Sequence, residues 1–153
     1  MKRILVLLTL IALSPTMSVA ADKGLVNKKS QFGVKATVDR LEKILRKKGI
    51  TIVTRWSHDA GAKKAGIALR PTELLIFGNP KMGSHFFTSK QTAGIDLPMK
   101  ALAWKDDKGQ VWLTYNDPAY IANRHDINDR AKIVKKMTGA LNNLTNFAVG
   151  HKK

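Results

Sequence analysis

Two segments of the chain carry apolar residues at the spacing of an amphipathic helix. The first ends at Gly49, and its apolar positions are Val34, Val38, Leu41, Ile44 and Leu45. The second lies near the C-terminus, and its apolar positions are Ile127, Val134, Met137, Leu141, Leu144 and Ala148. Both patterns repeat about every 3.6 residues, the period that places one face of a helix against a core. The chain is therefore predicted to have two long amphipathic helices.

Several segments outside these helices have the composition and alternation of β-strands. They are residues 25–26, 50–56, 73–77, 99–105 and 111–115. The last two flank the turn sequence Asp106–Gly109 and predict a β-hairpin, across which Trp104 and Trp112 could pair. Two helices that bracket several strands predict an α+β domain. We expect a single antiparallel-rich mixed sheet with the two long helices packed on it.

The N-terminus has the pattern of a secretory signal peptide. Two basic residues precede an apolar run at residues 4–13, and small side chains at Ser18 and Ala20 occupy the positions that a signal peptidase recognises. We expect cleavage after Ala20, which leaves residues 21–153 as one domain. This predicts a periplasmic or secreted protein, and no apolar run of the mature sequence is long enough for a transmembrane segment.

Composition narrows the classes of function. The chain has 153 residues, of which 27 are Lys or Arg and 11 are Asp or Glu, so its formal net charge is +16. It has no cysteine, which excludes disulfides, thiolate metal sites and a cysteine nucleophile. Such a basic chain would suit nucleic acid, but an exported protein meets little of it, so no nucleic-acid partner is expected. The scattered lysines are interpreted first as a solvated surface, and the alternative is that they bind an anionic envelope surface.

Two predicted helix starts share one design. Asn79-Pro80 and Asp117-Pro118 each follow a predicted strand and place a capping side chain before a proline at the first helical position. Backbone N–H groups at such helix starts favour anions. Capping alone is one interpretation, and the other is that these strand ends rim a binding site. Both can hold together.

Several uncommon strings occur in one order along the chain. They are His58–Ala62, Leu69–Pro80, Gly94–Pro98, Gln110–Leu113, Tyr115–Pro118 and Arg124-His125. In these strings the chain resembles the bacterial domain-of-unknown-function family 302 over about residues 34–144. The resemblance implies a compact α+β domain that often self-associates, so that a homodimer is one expected assembly, and it implies no activity. The chain departs from the family pattern at Ser57, where an acid is usual, and at Asp59, where a small apolar residue is usual.

Eight polar residues near predicted strand ends and helix starts make up the candidate ligand-binding pocket. They are His58, Arg70, Glu73, Asn79, Asp96, Asn116, Asp117 and His125. If His58, Glu73 and His125 converge, they would supply the ligands of a divalent zinc or copper site with an open position, although no paired-histidine spacing is present. Glu73 opens an apolar strand and needs a partner, for which Arg70 is the nearest base.

Three functions remain open. The sequence favours a non-enzymatic module that binds a small ligand, a metal ion or an anionic metabolite, at the strand ends, since it has no complete catalytic motif. The first alternative is a small periplasmic enzyme with His58 or His125 as general base and Glu73 or Asp117 as its partner. The second alternative is a cationic protein that associates with the envelope through its charge.

Overall fold

The structure is a computed structural model that describes residues 24–151. The predicted signal peptide, residues 1–20, lies outside the described residues. In chain order the elements are β1 (Leu25–Lys29), α1 (Val34–Lys47), β2 (Thr51–Ser57), α2 (His58–Lys64), β3 (Thr72–Gly78), α3 (Pro80–Ser89), a 3₁₀ helix (Gln91–Ile95), β4 (Met99–Lys105), β5 (Val111–Asn116), α4 (Pro118–Arg124) and α5 (Ala131–Val149). None of the helices in this part of the chain combines the length and the apolar character needed to cross a membrane.

The five strands form one sheet in the order β1-β5-β4-β3-β2, and every pairing between them is antiparallel. The predicted hairpin is confirmed as β4 and β5. Trp104 lies directly opposite Trp112 in it, and the two rings stack with their centroids 6.4 Å apart. The apolar strand predicted at residues 73–77 is β3, and it is an inner strand because it pairs with a neighbour on each side. The predicted α+β class is therefore correct.

The two predicted long helices are α1 and α5, which pack against each other and on one face of the sheet. The apolar stripe of α1 is buried as expected, with Val38, Leu41 and Leu45 fully inaccessible to solvent. The chain leaves α1 at Gly49, whose φ of +66° lies in the left-handed region that glycine adopts without a steric penalty. This turn directs β2 back along the sheet, beside the end of α1.

The opposite face of the sheet carries all three tryptophans. Side chains that point towards the helices, such as Leu75 and Leu113, are buried, whereas the alternate residues of the same strands are half-buried or exposed. Trp56 is 58% exposed on this face, and Trp104 and Trp112 are half-buried. The core therefore lies between the sheet and the pair α1 and α5.

Candidate functional site

A cleft opens where the ends of the sheet meet α3 and α5. Its volume is about 450 Å³, and its walls come from the start of β2, the end of β3, α3, the segment before β4, and α5. Six of the apolar residues in the walls are Met82, Phe87, Leu97, Met99, Met137 and Leu141. One wall depends on Gly78, because a Cβ atom at that position would lie 3.3 Å from Cβ of Pro98. The glycine thus lets the segment before β4 pack closely on the end of β3.

Methionine side chains from three different elements line the cleft. Residues 24–151 contain three methionines, and Met82 of α3, Met99 of β4 and Met137 of α5 all line the cleft. The unbranched, polarisable thioether side chain adapts to irregular partners, and it is common at binding surfaces that accept flexible ligands. Three separate elements therefore contribute adaptable apolar side chains to one space.

The polarity of the cleft changes from its mouth to its depth. The lysines and hydroxyl residues in its walls are all exposed, and they are Lys48, Thr51, Ser84 and Lys136. The buried wall residues, by contrast, are all apolar: Phe77, Leu97, Met99, Met137, Leu141 and Leu144. Among the described wall residues none is acidic. The cleft thus has an apolar interior and a mouth whose charged groups are cationic.

Asn79 is the member of the predicted set that lines this cleft. It also caps α3, because its Oδ1 accepts a hydrogen bond from the backbone N–H of Lys81 at 3.0 Å, and Pro80 takes the first helical position as predicted. The carbonyl of Asn79 accepts from the N–H groups of Met82 and Gly83, each at 2.9 Å. Capping and a place at a strand-end hollow therefore occur together at Asn79.

The predicted contact between Arg70 and Glu73 is wrong. The Glu73 carboxylate accepts hydrogen bonds from the Arg55 guanidinium instead, one of them from Nη2 to Oε2 at 3.0 Å. The antiparallel pairing of β2 and β3 explains this result, since it places Arg55 and Glu73 near each other on the helix-facing side. Arg70 precedes the strand, is exposed, and donates from Nε to the carbonyl of Lys105 at 3.0 Å.

Two residues of the predicted set, Asp96 and His125, do meet. The imidazole Nε2 of His125 lies 2.7 Å from Oδ2 of Asp96, its Nδ1 lies 3.1 Å from Oγ1 of Thr92, and Arg124 approaches the same carboxylate at 3.3 Å. The side chains of His125 and Asp96 are only 8% and 12% exposed. This cluster joins the end of α4 to the segment before β4. Neither Glu73 nor Asp117, the predicted partners, is the carboxylate beside His125.

His58 is not part of the cluster around His125. It is exposed at the first position of α2, and the neighbouring Asp59 is engaged by the Ser57 hydroxyl at 2.8 Å and by the N–H of Thr72 at 3.2 Å. The Ser57 hydroxyl holds the pKa of the Asp59 carboxyl below its usual value. Asp59 therefore stabilises the start of α2 and the entry to β3, rather than serving as a partner of His58.

The expected metal centre does not form within residues 24–151. No three side chains among the histidines, aspartates and glutamates of this region are grouped so that they could hold a metal ion. The predicted ligands lie in separate surroundings: His58 is in the first turn of α2, Glu73 binds Arg55, and His125 binds Asp96. These three residues therefore do not form a shared zinc or copper site.

Asp117 and Asn116 complete the predicted set. Asp117 caps α4, accepting from the N–H of Ala119 at 2.9 Å and from the Thr138 hydroxyl at 3.3 Å, so the predicted cap is confirmed. Asn116 ends β5, opposite Leu25 of β1. A second and more open hollow of about 700 Å³ lies between α4 and α5, and none of the eight predicted residues lines it.

The residues that shape the cleft were not predicted as a site. Met137 belongs to the apolar stripe predicted for the C-terminal helix, and the exposed Lys136 lies next to it on α5. Met99 joins them only because β4 pairs with β3, where Met99 lies opposite Phe77. A signal was present in the sequence, since the three methionines beyond the predicted signal peptide lie in three different elements.

Comparisons with known proteins point to one family. The family described as "Domain of unknown function DUF302" matches residues 26–144. "Fluoride-specific ion channel FluC 1" of Brucella suis biovar 1 is 43% identical over 137 residues, which are 89% of this chain and 54% of that protein. "Fluoride-specific ion channel FluC 2" of Brucella melitensis biotype 1 is also 43% identical over 137 residues, 89% of this chain and 51% of that protein. The chain thus spans about half the length of these curated relatives.

A solved structure supports the fold. The crystal structure of an uncharacterized conserved DUF302 protein from Bacillus stearothermophilus matches with a TM-score of 0.67. The match covers 85% of this chain and 98% of that one, at 18% sequence identity. At this identity the likeness concerns the arrangement of helices and strands alone.

Proposed function

This chain belongs to the DUF302 family, and we propose that it is a small-ligand-binding module that holds one apolar molecule in the cleft between the sheet end, α3 and α5. The observation that carries the proposal is the cleft itself, whose buried walls are entirely apolar and which contains every methionine of the described residues. Contiguous apolar surface that is open to solvent is uncommon on soluble proteins and often marks a ligand-binding groove. A hollow of this size with such walls is typical of a site that a ligand fills.

The size of the cleft suits a small molecule. Pockets for small ligands have volumes of about 300–1,000 Å³, and 450 Å³ lies within that range. If each non-hydrogen atom takes about the 30 Å³ of a water molecule in the liquid, the cleft holds about 15 such atoms. The proposed occupant is therefore a single small organic molecule.

Binding is favoured over catalysis by where the titratable groups lie. Among the described wall residues there is no histidine and no carboxylate, so a general acid or base would have to come from the two lysines. His125 and Asp96 are not part of the walls, and both ring nitrogens of His125 already face partners. In the periplasmic or secreted setting that residues 1–20 predict, such a module would carry or sense a hydrophobic metabolite.

The proposal is tested with a neutral fluorescent probe, N-phenyl-1-naphthylamine, whose emission rises in apolar surroundings. We expect saturable emission with one site per chain. We also expect the melting temperature to rise with probe concentration, because a ligand of the folded state stabilises by about 2.7 kcal/mol at a hundredfold excess over Kd.

A matched pair of variants locates the binding. Ala140 and Asn143 are both exposed on α5, but only Ala140 lines the cleft. Ala140→Phe places a ring in the cleft and is expected to weaken probe binding about tenfold or more, whereas Asn143→Phe leaves it unchanged. Probe emission that never saturates, or that both variants reduce equally, would refute the proposed function.

A further inference from the structure

The gradient of polarity in the cleft identifies the class of ligand. Resting on the proposed function, we infer that the ligand is an unbranched carboxylate of about ten to twelve carbons, with its chain among the three methionines and its head group between Lys48 and Lys136. Buried apolar walls match the chain, and exposed lysines at the mouth match a head group that stays partly in water.

The two lysines are available for a ligand. The ion pairs within residues 24–151 use other cations, namely Lys35, Arg46, Arg55, Arg124, His125 and Arg130. Lys48 caps the C-terminal end of α1, and Lys136 lies on α5, so the amines come from different walls of the cleft. Because no acidic residue is among these described walls, a negatively charged head group would be the counter-charge at the mouth.

The start of α3 does not compete for this role. The N–H of Lys81 is already bonded to the Asn79 side chain, and those of Met82 and Gly83 are bonded to the Asn79 carbonyl. Phosphate groups in proteins are typically held by free backbone N–H groups or by arginine forks, and the described walls contain no arginine. The described walls therefore lack the geometric features that select phosphate, and the two lysine amines act as point charges that pair with a carboxylate.

The length of the ligand's hydrocarbon chain follows from the volume of the cleft. Room for about 15 non-hydrogen atoms accommodates decanoate or dodecanoate, and a substantially longer chain would extend beyond the cleft into water. A flexible hydrocarbon chain is also the shape to which methionine walls adapt best. The other polar wall residues are Thr51 and Ser84, which are both exposed, and Asn79, whose Oδ1 already caps α3, so the buried part of the cleft favours an unfunctionalised hydrocarbon chain.

The test compares decanoate with 1-decanol as competitors of N-phenyl-1-naphthylamine, with decanoate below its micellar concentration and 1-decanol below its solubility limit. We expect decanoate to displace the probe about tenfold more effectively than 1-decanol at low salt, and to lose this advantage as salt screens the lysines. Lys48→Gln and Lys136→Gln should each weaken decanoate about threefold, and the double variant about tenfold, without changing 1-decanol. Lys132→Gln is the matched control, because Lys132 is exposed on the same helix and does not line the cleft.

The outcomes separate this inference from the function on which it rests. If the probe binds but decanoate and 1-decanol compete equally, or the lysine variants behave like Lys132→Gln, the carboxylate assignment is overturned and the apolar site stands. Tighter binding of decyl phosphate, or of hexadecanoate, than of decanoate would also overturn it. If no competitor and no probe binds, both the inference and the proposed function fail.

Discussion

Arg55 is the residue whose replacement tests the fold most directly. Its guanidinium binds Glu73 of the neighbouring strand and lies 2.6 Å from Asp39 and 3.5 Å from Glu42, both on α1. Glu73 and Asp39 raise the pKa of Arg55 above its ordinary value, with the hydrogen bond to Glu73 as the largest cause. Arg55→Met keeps most of the aliphatic stem and removes the charge that links β2, β3 and α1.

The expected cost follows from burial. Removing one partner of a fully buried ion pair costs about 3–5 kcal/mol, because the other charge is left without a partner. The side chains of Arg55 and Glu73 are 25% and 15% exposed, so solvent screens part of that loss. We therefore expect Arg55→Met to lower the free energy of unfolding by about 2 kcal/mol. For a domain of about 130 residues this corresponds to a fall in melting temperature of about 7 °C.

Urea denaturation of four variants measures the coupling. Arg55→Met and Glu73→Leu should each destabilise, and the double variant should recover at least about 1 kcal/mol relative to the sum of the single changes. Arg70→Met is the control, since its side chain reaches a backbone carbonyl at the surface, and we expect a change within about 0.5 kcal/mol. A loss at Arg70 as large as at Arg55, or single changes that simply add, would contradict the ion-pair assignment.

Three further measurements test other parts of the structure. Burial lowers the pKa of Lys28 to about 8, so the unfolded state binds more protons than the folded state above that pH. The free energy of unfolding should therefore rise from pH 8 towards 10.5 in the wild type and rise less in Lys28→Met, as measured by urea midpoints. Asp117→Ala should remove about 1 kcal/mol of stability through loss of the α4 cap, measured in the same way. Asp96→Ala should cost about 1–3 kcal/mol, because it leaves His125 without its partner, whereas thermal unfolding of His58→Ala should match the wild type.

The features that the sequence predicts best are those determined by residues close together along the chain. The two long helices follow from the spacing of apolar residues, and the caps at Asn79 and Asp117 need only a short polar side chain beside a proline. The hairpin depends on a few residues between two alternating strands, and Trp104 meets Trp112 because the turn sets their register. These features involve residues close together in sequence.

Contacts between distant segments were harder to predict. Glu73 meets Arg55 rather than Arg70, although Arg70 is nearer in sequence, because an antiparallel register decides which side chains share a face. Asp96 and His125 were both candidates, but their pairing depends on where the 3₁₀ helix meets the end of α4. The cleft is a still larger case, since its walls come from separate segments of the chain, and the spacing of apolar residues does not specify how those segments pack together.

The difference between the predicted and the observed site has a physical cause. Polar side chains at strand ends are close to unpaired backbone groups, and they satisfy those groups first, as Ser57, Asn79 and Asp117 do here. Within residues 24–151, every buried polar side-chain atom has a partner, so the polar candidates contribute mainly to stability. What the fold leaves open is apolar surface in a cleft and two exposed amines beside it. A ligand gains most from groups that folding has not already paired, and for this reason the cleft, rather than the histidines and carboxylates, is where a partner molecule should bind.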